Sequence, residues 1–123
     1  MKNARFITAL DAVTATTTSS ALGIKYAKRV TFMFTRAANE EGTSTFSVTG
    51  SIDGTTYVAL NLITNAATTN LQTVTRAATV AIANDNASVL AALDLEFGGY
   101  EYIKVTATET TDGTHSAVLL IEE

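Results

Sequence analysis

The stretch RVTFMFTR, residues 29–36, decides the fold of this chain. Val30, Phe32 and Phe34 stand at every second position, and the alternate positions 31, 33 and 35 hold Thr, Met and Thr. Successive side chains of an extended backbone point to opposite faces, so the three apolar residues share one face. Such an alternation is typical of a β-strand with one buried face. Residues 29–36 therefore predict a strand within a β-sheet protein.

Segments on either side repeat this alternation and extend the predicted core. The inward-facing positions that they predict are Val30, Phe32, Phe34, Phe46, Val48, Val58, Leu60, Leu62, Ile103 and Val105. Residues 117–121 are apolar throughout, which predicts a central strand covered on both faces. Residues 70–83 are interpreted as one or two strands. Residues 87–93 fit either a strand or a single helical turn, because Ala and Leu also favour helices.

Aspartate–glycine pairs separate several of these segments. Asp53 and Gly54 form one pair, and Asp112 and Gly113 form another between the last two strands. Such pairs supply the positive φ angles of tight hairpin turns. Short strands separated by turns about every 8–12 residues indicate an antiparallel sandwich or barrel. The predicted fold is a single all-β domain over residues 1–123, an antiparallel, jelly-roll-like, two-sheet sandwich of about eight strands.

A threonine-rich stretch at residues 14–20 has too few large apolar groups to contribute to a core. It predicts an extended N-terminal arm or a surface loop around residues 11–22. In an assembly, such an arm can add a strand to a neighbouring subunit. Thr16, Thr17 and Thr18 are therefore candidate interface residues.

Two tyrosines provide a second candidate interface. Tyr100 and Tyr102 have the strand parity opposite to that of Ile103 and Val105. Tyrosine is favoured at interfaces because it combines a large contact area with a polar tip. The same two side chains are equally consistent with covering the second face of the sheet.

The composition narrows the classes of function. The 123-residue chain has 23 Thr, 20 Ala, no Cys and no Pro, and its formal net charge is −4. A chain without cysteine has no disulfides and no thiolate metal ligands, and its negative charge argues against nucleic acid as a partner. No apolar run reaches the roughly 18 residues that span a bilayer, and the N-terminus lacks the apolar core of a signal peptide. We therefore expect assembly in the cytoplasm and no membrane partner.

The residues that could support catalysis do not form a recognised pattern. His115 is the one histidine, and its neighbour Ser116 faces the other side of a strand, so a solvent-exposed histidine is predicted rather than a hydrolytic triad. Turn formation explains Asp53 and Asp85 without a calcium ion. No catalytic, cofactor-binding or metal-binding residue is predicted, and a small hydrolase is the least favoured function.

One combination of segments resembles a known class of proteins. Residues 46–60 have the form strand, Gly-Ser-x-Asp-Gly-Thr-x-aromatic, strand. Residues 100–105 precede a glycine turn and a last apolar strand, and residues 10–15 open the pattern. Together they resemble small β-sandwich structural proteins of tailed bacteriophages, which decorate the capsid or belong to tail assemblies. The Ser-x-Asp-Gly-Thr-x-Tyr hairpin, residues 51–57, also resembles discoidin-like jelly rolls, some of which bind glycans.

This resemblance implies a virion structural protein without enzymatic activity. The expected function is a capsid decoration or cementing protein that binds the outer surface of a phage head, with the major capsid protein as its partner. A homo-oligomer is expected, and a trimer is favoured because decoration proteins often lie on local threefold axes. The alternative is a glycan-binding or structural module of a phage tail or fibre.

Overall fold

The computed structural model of the chain describes residues 3–37, 42–68, 71–83, 87–96, 99–110 and 113–123. Within these ranges the backbone forms twelve strands and no helix. The strands are β1 (Ala4–Val13), β2 (Thr17–Thr18), β3 (Leu22–Gly23), β4 (Arg29–Ala37), β5 (Thr43–Ser51), β6 (Val58–Ala59), β7 (Leu62–Thr68), β8 (Leu71–Ala77), β9 (Thr79–Ala83), β10 (Ala87–Leu93), β11 (Tyr102–Glu109) and β12 (Thr114–Glu122).

The strands form two antiparallel sheets that pack as a sandwich. The first sheet has the order β1-β12-β4-β10-β7-β8. The second has the order β2-β11-β5-β6, with β3 also paired to β11 and β9 also paired to β5. Every pairing is antiparallel. The predicted fold class, an all-β antiparallel two-sheet sandwich, is confirmed.

The inward faces of the two sheets meet in a core built around phenylalanine. Val30, Phe32 and Phe34 of β4 are fully buried, as their alternation predicts. The ring of Phe34 stacks on Phe46 of the second sheet, with 4.6 Å between the ring centroids. The ring of Phe32 stacks on Phe34 at 5.3 Å. The other predicted core residues that are buried are Val48, Leu60, Leu62, Ile103 and Val105.

The strand count is twelve rather than about eight. Two of the additional strands, β2 and β3, have two residues each, and their pairing to a neighbouring strand defines them. The strand predicted over residues 57–62 is divided between β6 and β7, which belong to different sheets. Residues 70–83 contain two strands, β8 and β9, which belong to different sheets. Residues 87–93 form a strand and not a helical turn, because β10 pairs with both β4 and β7.

Two predicted positions differ from the structure in their burial. Val58, predicted to be in the core, is 52% exposed. It pairs with Gly50 across the ladder, but the side chains that lie against this glycine are those of Leu60 and Tyr100. Strand β12 is central in its sheet but is covered on one face only. Its outward Leu120 is exposed, since the second sheet packs against the opposite face.

Residues 11–22 connect the two sheets. After β1 ends, β2 pairs with Thr106 and Ala107 of β11, and β3 pairs with the start of the same strand. Between them, the backbone N–H of Ser19 donates to the carbonyl oxygen of Val105 at 2.8 Å. The N–H of Val105 in turn donates to the Ser19 hydroxyl at 2.9 Å. The segment thus forms the edge of the chain's own second sheet.

Candidate interaction surfaces

The three threonines predicted at an interface lie along that edge and make hydrogen bonds within the chain. The Thr16 hydroxyl accepts from the backbone N–H of Glu109 at 3.1 Å, and the Thr17 hydroxyl donates to the carbonyl of Ala15 at 2.8 Å. The hydroxyls of Thr18 and Thr106 share a hydrogen bond of 2.9 Å. These contacts hold the edge strand on β11, and an interface at these residues stays a prediction.

The two tyrosines predicted at an interface are separated in the structure. Tyr102 opens β11, is partly exposed on the outer face of the second sheet, and lies beside Gly54. Tyr100 precedes the strand, so the alternation of β11 does not extend to it. Its ring packs against the core next to Leu60 and Gly50. The two side chains therefore belong to different surfaces.

The Asp53 hairpin is held by a compact set of hydrogen bonds. One carboxylate oxygen of Asp53 accepts from the backbone N–H groups of Thr55 at 2.8 Å and Thr56 at 2.9 Å, and from the Ser51 hydroxyl at 2.9 Å. These bonds, chiefly that from Thr56, hold the pKa of Asp53 below its ordinary value of 3.8. Gly54 has a φ of 79°, in the left-handed region that favours glycine.

A groove of about 330 Å³ opens beside this hairpin. The exposed side chains of Ile52 and Val58 and the ring of Tyr100 form apolar walls, and Asp53 and Thr56 add polar groups. Concave sites with apolar or aromatic walls and a few polar groups are typical of small-molecule binding. At this groove the hairpin signature coincides with a concave surface.

The second predicted turn is only partly described. Asp112 lies outside the described residues. Gly113 lies against two buried side chains: a Cβ at this position would be 3.2 Å from a ring carbon of His115 and 3.3 Å from a guanidinium nitrogen of Arg36. Glycine therefore lets the backbone pass close to the buried histidine.

His115 is buried and not solvent-exposed as predicted. It shares the inward parity of Ala117 on β12, and its Nδ1 makes a 2.5 Å hydrogen bond with the Ser44 hydroxyl of β5. Burial lowers the pKa of His115 below 6.5; the charge of Arg36 also lowers it, and Glu109 raises it. The prediction failed because it treated His115 as a residue flanking the turn, before the strand predicted over 117–121, whereas β12 begins at Thr114 and includes His115.

The Ser44–His115 pair links the two sheets through the core. Both residues are completely inaccessible, so a substrate reaches Ser44 only if the sandwich opens. In the described parts of the chain, no three potential ligands among His, Cys, Asp and Glu gather at one point. Across the same ranges, no helix is long and apolar enough to cross a membrane.

Comparison with known proteins identifies the fold but no family. No family model matches the chain, and no curated protein matches its sequence. A prophage protein has the same fold. The crystal structure of SPBc2 prophage-derived protein YomS matches all of this chain and 96% of its own length, with a TM-score of 0.67 and 11% sequence identity. The similarity to YomS thus extends over the whole sandwich.

The outer face of the first sheet carries an exposed apolar cluster that the sequence did not reveal. It consists of Phe6, Leu120, Val118, Met33 and Leu90, and is called the apolar face below. Phe6 is 69% exposed and Leu90 64%. The cluster is continuous across four strands, because Phe6 pairs with Leu120, and Met33 pairs with both Val118 and Leu90. Contiguous apolar clusters on a protein surface commonly mark contacts with other molecules.

A groove of about 220 Å³ lies within the apolar face. Phe6 and Leu90 project on its two sides, and Thr31 lies on its floor. One signal for this face was present in the sequence, since Met33 and the apolar run 117–121 supply large outward side chains. The signal was incomplete, because only the strand order β1-β12-β4-β10 brings Phe6 and Leu90 to the same surface.

Proposed function

We propose that this chain is a structural protein of a tailed-bacteriophage virion, namely a capsid decoration or cementing subunit that binds the outer surface of the head. The similarity of its whole fold to the prophage-derived protein YomS is the observation that carries the proposal. The resemblance of residues 46–60 to phage β-sandwich proteins supports it independently. The proposed partner is the major capsid protein, and the proposal includes neither nucleic acid nor membrane as a ligand.

The surface of the chain suits a protein that acts by binding. The exposed apolar face provides material for the buried centre of a protein contact, and aromatic residues and Met are enriched in such centres. The single histidine is enclosed with Ser44 in the core, where it stabilises the sandwich. We therefore propose that the protein is not an enzyme.

The proposal includes self-association in the virion. A trimer fits the local threefold axes of a capsid, and a closed symmetric oligomer is the usual form of a repeated structural subunit. Assembly takes place in the host cytoplasm, and the mature location is the virion.

Co-sedimentation with phage shells tests the proposal. The full chain is mixed with purified shells that lack their decoration protein and, as a control, with fully decorated shells. Saturable binding to the first and none to the second is expected, with added density on the outer shell surface in electron micrographs. A chain that does not bind any undecorated shell, but binds purified tails, would contradict the assignment to the head.

A glycan-binding module of a tail or fibre is the second candidate, and the groove beside the Asp53 hairpin favours it. The ring of Tyr100 is the aromatic wall on which a sugar would stack. A glycan array identifies a ligand, and titration with Tyr100→Ala then tests the groove, with Phe6→Ala as control because Phe6 is an exposed aromatic residue of the other sheet. Loss of binding in the first variant alone supports this function, and no binding by the wild type excludes it.

A further inference from the structure

The apolar face has both a projecting aromatic side chain, Phe6, and an apolar groove. Phe6 stands on the edge strand β1 with most of its ring exposed, and it forms one wall of the groove, whose other lining residues lie on β12, β4 and β10. An apolar cavity of about 150 Å³ is large enough to hold benzene. The groove, at about 220 Å³, has room for a phenylalanine ring. The face is therefore complementary to itself.

The rows of residues next to the apolar face are polar but already paired within the chain. On one side, Arg29 and Glu122 form an ion pair at 3.8 Å. On the other side, the hydroxyls of Thr35 and Ser88 share a hydrogen bond of 3.0 Å. An apolar centre inside a polar rim is the usual arrangement of a protein interface. Because these rim charges neutralise each other, they favour a partner surface that is also neutral over a strongly charged one.

The size of the face agrees with a modest, reversible contact. The outer surface of these four strands, which includes the apolar face and its polar rim, measures about 19 Å by 30 Å for strands of nine residues, with strands about 4.8 Å apart and a rise of about 3.4 Å per residue. Two such faces bury up to about 1,100 Å², near the lower end of the range for specific protein interfaces. Association that depends on protein concentration is therefore expected.

We propose that a second copy of this chain covers the apolar face, with the two copies related by a twofold axis and each Phe6 seated in the groove of the other. Phe6 and Leu120 are neighbours across the β1–β12 ladder and line the groove together, so we place the axis close to Leu120, where it brings the two Leu120 side chains together. This contact goes beyond the proposed function, because it adds a twofold contact to the threefold self-association proposed above. It also differs from the surfaces at Thr16–Thr18 and at Tyr102.

Sedimentation of the full chain from micromolar to millimolar concentration tests the pairing. The wild type is expected to form an even-numbered species, which is a dimer, or a pair of trimers if a threefold contact also forms. Leu90→Lys places a charge in the wall of the groove and is expected to weaken association by about tenfold or more. Ile52→Lys is the matched control, since Ile52 is equally exposed but lies in the Asp53 hairpin. It is expected to associate like the wild type.

Three results would overturn the pairing. They are a strictly monomeric wild type, a strict trimer that Leu90→Lys leaves intact, and equal weakening by Leu90→Lys and Ile52→Lys. If the wild type is monomeric and Leu90→Lys abolishes binding to shells, the face contacts the capsid protein instead. In that case the pairing fails while the proposed function stands. If the chain pairs but does not bind shells, the proposed function fails while the pairing stands.

Cross-linking tests the geometry without relying on a destabilising substitution. The chain has no cysteine, so a single Leu120→Cys variant carries one thiol. Under a mild oxidant it is expected to form disulfide-linked dimers faster than Ile52→Cys does at the same concentration. Equal rates for the two variants would contradict a twofold axis near Leu120.

Discussion

The two sheets of the sandwich present similar faces to the core and opposite faces to the outside. Inward, both sheets contribute fully buried aromatic and aliphatic side chains, such as Phe32 and Phe46. Outward, the first sheet exposes Phe6 and Leu90, whereas the second sheet presents mostly hydroxyls and the charge of Lys104. On the second sheet these groups interact with one another: the amine of Lys104 lies 4.4 Å from the centre of the Tyr57 ring.

The difference between the two outer faces shows that folding determines which residues point into the core but not how polar the outer face is. The period-two pattern must place apolar residues inward, but it does not determine the residues that point outward. A polar outer face is stable in water and requires no further explanation. A continuous apolar outer face keeps a hydration cost that folding does not remove, and contact with another protein removes it.

The inner faces of the two sheets are expected to contribute about equally to the free energy of unfolding. Truncation of a core side chain is expected to lower that free energy more than any other change considered below. Phe32→Ala in the first sheet and Phe46→Ala in the second each remove a buried, stacked ring. Each is expected to lower the free energy of unfolding by about 3–5 kcal/mol. Urea denaturation measures both. A loss below about 1 kcal/mol for either variant, less than large core truncations usually cost, would mean that the two inner faces do not share one core.

The polar link between the sheets predicts a pH dependence. The folded state holds the pKa of His115 below 6.5, so the unfolded chain binds the proton more readily. Stability from this residue is therefore fully present above pH 6.5 and decreases as the pH falls below that value. Denaturation of the wild type and of His115→Asn at several pH values measures the effect. The variant should show a weaker decrease, and parallel curves would exclude His115 as its cause.

A smaller effect is expected in the hairpin of the second sheet. Gly54→Ala forces a residue with a Cβ into a left-handed backbone and should cost about 1–2 kcal/mol. An added Cβ would lie 3.4 Å from the Tyr102 ring, an ordinary contact, so the cost comes from the backbone. Gly23→Ala is the control, since its Cβ would meet no atom within 4 Å. Equal melting temperatures for the two variants would refute the conformational explanation.

The smallest effect on folding is expected at the apolar face. Leu90→Thr should change the free energy of unfolding by no more than about 0.5 kcal/mol at low protein concentration, because the side chain is mostly exposed in the single copy. A loss above about 2 kcal/mol, in the range of core truncations, would show that the apolar face stabilises the chain itself and not a contact.

The alternating segments made most of the fold predictable. Strands with a strong pattern, such as β4 and β5, were recognised with the correct inward residues. Short strands such as β2 and β3 were not recognised. They are defined by their pairing with β11, and their own side chains show no alternating pattern. Val58 shows the same limit, since its exposure results from the packing of Leu60 and Tyr100.

The candidate surfaces were less predictable than the fold. A sequence reports which residues share a strand face but not which strands are neighbours. Phe6 and Leu90 are far apart in the chain, and only the strand order of the first sheet brings them together. His115 was misplaced for a simpler reason: the last strand was predicted only over residues 117–121, whereas β12 begins at Thr114 and places His115 on the same inward face as Ala117.

The difference between the two outer faces is tested most directly by the reactivity of single thiols. Leu120 and Tyr102 are each 37% exposed on opposite sheets, so Leu120→Cys and Tyr102→Cys form a matched pair. The chain has no other cysteine. The rate of maleimide labelling is measured for each variant as protein concentration rises. The thiol at position 120 should become protected as the concentration rises, and more strongly than the thiol at position 102. Protection at position 102, with none at position 120, would contradict the assignment of the apolar face as the contact surface.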